Sequence, residues 1–137
     1  MANLDRFLEM HKCYYEVAIE EIKNGRKQSH WMWFIFPQLK GLGGSWMAKK
    51  YAIEDRKEAE EYLNDPILYS HLMKISEELL KLKTDDINDV FDFPDDLKLK
   101  SCMTLFYLIS DSIVFKMVLD KFFNSQLCEY TLYNLDD

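Results

Sequence analysis

The stretch Cys102 to Ile109, CMTLFYLI, is apolar on nearly every face when wound as a helix. A helix without a wet side must be enclosed by other elements, so the rest of the chain has to supply a shell around it. Asp95 or Asp96 can cap its start, which places this central helix at about 96–110. The remainder contains only Gly 4 and Pro 3, and so few breakers favour long regular elements with short connections over a meander of strands. A length of 137 residues with 48% hydrophobic side chains is enough for one domain, burying roughly two thirds of the surface its unfolded form exposes.

Local signals divide the chain further. Leu4, Phe7, Leu8, Ala18 and Ile22 recur at helical steps and are stopped by Asn24-Gly25, predicting a first helix from Asn3 to Lys23. Ser45 to Tyr51 reads as a short helix. Asp55 followed by Glu58 has capping-box spacing for a helix over 55–64. Asp65-Pro66 gives a cap and a first-turn proline for the next helix, whose stripe is Leu68, Leu72, Ile75, Leu79 and Leu82. Thr84 opens a brief helical turn, Asp111-Ser112 starts a helix through Phe123, and a last one covers Glu129 to Leu135. Six apolar residues, Trp31 to Phe36, run into Pro37. Periodicity alone cannot decide whether that run is a strand or a helical turn.

A net charge of −7 argues against sequence-independent nucleic-acid binding, which needs clustered cations to displace counterions. A local basic patch survives that objection: Lys23, Arg26 and Lys27, then Lys40, Lys49 and Lys50. No segment approaches the ~20 apolar residues of a membrane span. The N-terminus has no apolar signal region, and a cytoplasmic location is expected. Cys13, Cys102 and Cys128 are far apart and odd in number, which suits neither a disulfide framework nor zinc, so they read as core thiols. His11 and His71 are isolated on helices without a ligand at metal spacing, so no metal is expected.

The tract GRKQSHWMWFIFPQLKGLGG gathers most of the groups with chemical uses. Trp31, Trp33 and Phe36 offer flat walls on which a base or similar ring can stack. Lys27 suits a phosphate, Ser29 and Gln38 can read polar edges, and the amides of the loop holding Gly41, Gly43 and Gly44 can face an anion. The glycines match neither GxGxxG nor GxxxxGK[ST], so no dinucleotide or P-loop cofactor is expected. His30 is the first acid or base candidate, because histidine as a residue type titrates nearest neutrality. At the start of the central helix, Asp96, Lys98 and Ser101, with Thr104 beyond, can present a carboxylate, a cation and hydroxyls to one cavity. The competing account makes the aromatics core and the polar groups caps.

Gly25-Arg26-Lys27, Ser29 through Leu39 and Gly41-Leu42-Gly43, followed by Asp95-Asp96-Leu97-Lys98-Leu99, Ser101 and Met103 through Phe106, together resemble the signature of the DUF1810 family, a bacterial family of unknown function. The likeness runs along almost the whole chain. It implies an all-α, single compact domain over 1–137, with about six to eight helices around the central apolar one, and no established activity. Cys128 departs from it, standing where an aspartate is expected.

Two functions follow as expectations. One is a pocket for a small anionic, nucleotide-like ligand, with hydrolysis of a glycosidic or phosphate-linked group of the ADP-ribose type, using His30 or Asp96. The other is a non-enzymatic interaction module that exposes the aromatic tract 31–36 to a protein partner.

Overall fold

The computed structural model describes residues 3–136. Among them run eight α-helices: α1 (Asp5–Lys23), α2 (Met32–Ile35), α3 (Trp46–Lys50), α4 (Arg56–Asn64), α5 (Pro66–Lys81), α6 (Asp95–Ser110), α7 (Ile113–Phe123) and α8 (Glu129–Asn134), with a 3-10 turn at Ile87–Asp89. The described β structure is one isolated parallel bridge between Leu39 and Ile53. No described helix is long and apolar enough to cross a membrane.

The enclosed helix is α6. Leu99 and every residue from Ser101 to Phe106 are buried, because α4, α7 and α8 cover it on successive sides. The α4 and α7 helices also pack on α5, and α5 packs on α1, so these two bridge the inner helix to the outer pair. The start of α6 differs from expectation. Its N-cap is Pro94, and neither Asp95 nor Asp96 caps it; Asp95 is already the first helical residue, and its carboxylate is committed to lysines described below.

Other ends follow their sequence signals. Asp65 accepts from the amides of Ile67 and Leu68 at 3.0 Å each, with Pro66 in the first turn. Asp55 accepts from Glu58 N at 2.8 Å, but the return bond of the capping box is displaced: Glu58 accepts from Glu54 N at 3.0 Å. The turn expected from Thr84 is capped by Asp86 instead, whose side chain accepts from Asn88 N. At the end of α1, Gly25 N bonds Ile22 O and Arg26 N bonds Glu21 O. These are the two bonds of a Schellman stop, and Gly25 takes the left-handed φ of 86° that this stop requires.

The undecided aromatic run is the single turn α2. Trp31, Met32, Phe34, Ile35 and Phe36 are at most 1% exposed. A helical turn lets so apolar a segment satisfy its backbone inside the core, as Ile35 N to Trp31 O and Phe36 N to Met32 O show. This burial overturns the interaction-module expectation, since the tract offers no exposed patch to a partner.

Candidate ligand site

Glu21, in the last turn of α1, shapes the chain that follows. Its Oε1 accepts from Gln28 N at 2.7 Å, Ser29 N at 2.9 Å and Trp31 Nε1 at 2.9 Å, and its Oε2 accepts from Ser29 Oγ at 2.6 Å. Burial alone would raise this carboxyl; the bonds from Ser29, Gln28 and Trp31 to its charged form outweigh it and leave the group below the usual carboxylate range. The clasp folds residues 27–31 back over the helix end, and Lys27 N bonds Val90 O at 2.9 Å, which carries Lys27 to the start of α6.

There the lysine Nζ lies 2.9 Å from Asp95 Oδ2, and Lys98 Nζ lies 3.5 Å from Asp95 Oδ1. The three side chains are only 13%, 20% and 19% exposed for Lys27, Lys98 and Asp95. Lys98 Nζ also sits 5.3 Å from the centre of the Trp33 ring, and Lys27 Nζ 5.4 Å from that of Trp31, distances at which a cation is attracted to the ring face. Asn88 donates to Asp96 Oδ2 at 3.3 Å and to Phe91 O at 3.3 Å. The other oxygen, Asp96 Oδ1, is buried without a hydrogen-bond partner. Arg26 closes the outer edge through Asp92 Oδ1 at 2.6 Å.

The structure therefore brings Lys27, Trp33 and Lys98 to one corner around Asp95, sets Asp96 against Asn88 on the same first turn of α6, and sends the remaining candidates elsewhere. Trp31 and Phe36 are core: they pack against each other and each sets an edge against Phe91, so neither can stack a ligand. Ser29 is spent on Glu21. His30 is exposed and takes no part in the hydrogen-bonded clasp around it.

Gln38, Gly41 and Gly43 form a separate loop. Gln38 donates to Leu42 O at 3.4 Å, and its own carbonyl takes Ile53 N at 2.8 Å beside the β-bridge. Gly41, at φ 97°, has the Tyr130 hydroxyl where a Cβ would stand, 1.8 Å from it, and that hydroxyl donates to Lys40 O at 2.9 Å. A Cβ on Gly43 would come within 3.1 Å of Ala48. These glycines admit close packing rather than cradling an anion. The first turn of α3 behind them is already capped by Ser45, which accepts from Ala48 N.

Ser101 and Thr104 face α8. Ser101 Oγ lies 3.3 Å from Cys128 Sγ, and Thr104 Oγ1 accepts from Cys128 N at 2.9 Å. Cys128 is the N-cap of α8, a position an aspartate favours. The expectation of three core thiols holds for Cys102, whose burial pushes its pKa well up, whereas Cys13 is exposed. Cys128 is half-buried; burial would raise its pKa, but the hydroxyls of Ser101 and Thr131 and the amides of Thr131 and Tyr130 bring it below the ordinary thiol value.

Asp95 and Glu21 organise the corner; the sequence marks Asp95 only as a cap candidate beside Asp96 in the polar cluster at the start of the central helix, and Glu21 is not a candidate. The spacing of Asp95 to Lys98 was a usable signal; Glu21 gave none, since it looks like any carboxylate on a helix surface.

A family model described as "Protein of unknown function (DUF1810)" matches residues 1–135. No curated protein matches. The chain is similar to the conserved hypothetical protein Rv1873 from Mycobacterium tuberculosis, known from a crystal structure, with 38% sequence identity over 96% of this chain and 95% of that one, and a TM-score of 0.94.

Proposed function

The chain belongs to the DUF1810 family, and from that footing we propose that the corner of Lys27, Asp95, Lys98 and Trp33 binds a small anionic, nucleotide-like ligand. The observation that carries this reading is the convergence of two largely covered lysines, from different elements, on one carboxylate. A structural staple needs one ammonium; a second brought out of water adds desolvation cost that one shared carboxylate only partly offsets. A ligand phosphate in reach of both would complete the charge balance, and the first turn of α6 favours negative charge. Trp33, half-buried beside Lys98, supplies an apolar face for a ring. The unpartnered Asp96 oxygen suits a donor such as a ribose hydroxyl.

Hydrolysis of a glycosidic or phosphate-linked group, as in ADP-ribose-type compounds, is the reaction proposed for this corner. Asp96 is its acid or base, because it follows Asp95 in the first turn of α6 and keeps one carboxylate oxygen unpartnered, whereas His30 is exposed. His30 drops out of that role.

Calorimetric titration with ATP, ADP-ribose and ribose 5-phosphate tests the reading. At least one of these is expected to bind, and Lys98→Ala to weaken it about tenfold to a hundredfold, the loss of one charge-assisted hydrogen bond of ~1.5–3 kcal/mol. Equal affinity in the variant would move the ligand elsewhere, and no heat from any of them would sink the proposal.

A further inference from the structure

His11 and His71, sixty positions apart and isolated in sequence, meet in the structure. His11 is 3% exposed, with Nδ1 2.9 Å from His71 Nδ1 and Nε2 2.8 Å from Phe34 O. The carbonyl can only accept, so His11 Nε2 carries the hydrogen. In a neutral His11 the Nδ1 is then bare and accepts, and His71 Nδ1 must be the donor. His71 is held in that plane by Tyr15, whose ring stacks on it at 3.5 Å and 4°. The contact joins α1 to α5 and, through Phe34, to α2.

We infer that the His11–His71 pair is an acid-operated latch on α2, the turn that carries Trp33. Two protons arrive with different consequences. The first goes to His71 Nε2 and leaves both hydrogen bonds intact. The second must land on His11 Nδ1, where it faces the His71 N–H and a positive ring, so the bond is lost and the Phe34 carbonyl with its turn is released. Among the described residues, the charged groups acting on the pair lie on α1 or α5: Glu16 on α1, Lys74 on α5 and Asp65 at its cap, with Glu78 of α5 beside the stacked Tyr15. The α2 sequence MWFI brings only its Phe34 carbonyl.

The direction of the pH effect follows. Burial first, against the Phe34 bond and with the nearby His71 charge, lowers the His11 pKa to about 4, from an ordinary 6.5. The unfolded chain thus binds this proton at a higher pH than the folded one. The contribution is complete above pH 6.5, declines as the pH falls through the window, and is gone below about 4.

Nitrogen-15 NMR of the imidazoles, with amide protection factors, reads the latch without any ligand. At pH 7 His11 is expected as the Nε2–H form. His71 should titrate first with α2 protection unchanged, and protection of the Ile35 and Phe36 amides, which are bonded within the turn, should fall at least tenfold as His11 takes its proton. His11→Gln keeps an acceptor for His71 and a donor for Phe34 O, and should hold α2 protection flat to pH 4. A His11 titrating near 6.5, or an equal acid loss in His11→Gln, would overturn the latch. If the variant does not fold, the wild-type titration decides alone: loss of α2 protection before His11 titrates would overturn it equally.

Discussion

Trp31→Ala is expected to lower unfolding free energy by about 3–5 kcal/mol, the range for truncating a large buried aromatic. The indole is fully buried, touches Phe36 and Phe91, and donates to Glu21 at 2.9 Å. The variant therefore leaves a cavity and removes one of the bonds that hold the clasp. Trp33→Ala, at a partly exposed ring, should cost only about 1–2 kcal/mol from lost apolar burial. Urea unfolding of the two variants separates core from site. Equal losses would show that Trp33 is packed as deeply as Trp31 and is not free to meet a ligand.

The second large effect lies far from the corner. Arg6 Nη2 is 2.8 Å from Glu58 Oε1 and 2.9 Å from Ala52 O, and its Nε is 2.9 Å from Lys50 O; Nη1 also donates to Asn3 O. The pair is 17% and 9% exposed, so the α1 start is pinned to the α3–α4 connection by a covered charge network. Removing one partner strands the other, and Arg6→Ala is expected to cost about 3–5 kcal/mol. Replacing both by methionine should recover much of that loss, because the desolvation cost disappears with the charges. A denaturant midpoint unchanged in Arg6→Ala would show the pair to be screened by water.

The sequence signals that succeeded were local. Asp65-Pro66, Asp55 and Asn24-Gly25 set helix ends through bonds spanning a few residues, and the apolar run at 102–109 announced an enclosed helix by its lack of a polar face. The tract at 31–36 was ambiguous because a buried strand and a buried turn are equally apolar. Its neighbours decide: Glu21 takes four hydrogen bonds from residues 28–31 and forces the chain into a turn. The candidate site was half legible for the same reason. Asp96, Lys98 and Ser101 are close in sequence, but α6 points them to different neighbours: Asp96 to Asn88, Lys98 to Asp95 and Trp33, and Ser101 to Cys128. Lys27 reaches that helix only through the Glu21 clasp and the Val90 carbonyl. Trp31 and Trp33 look identical in sequence, and two positions along one helical turn place the first in the core and the second beside Lys98. No local pattern could have joined His11 to His71 or Arg6 to Glu58, since both pairs depend on how α1 docks.

A ligand held at the corner at the start of α6 must perturb the residues that line it. Chemical-shift mapping of the nitrogen-15-labelled protein during a titration with ADP-ribose tests it most directly. Saturable shifts are expected, concentrated at the Trp33 indole and the amides of Lys27, Asp96 and Lys98, and absent in Lys27→Ala. Shifts confined to the α6–α8 seam around Ser101 and Cys128, or an unchanged spectrum for ADP-ribose and ATP alike, would overturn it.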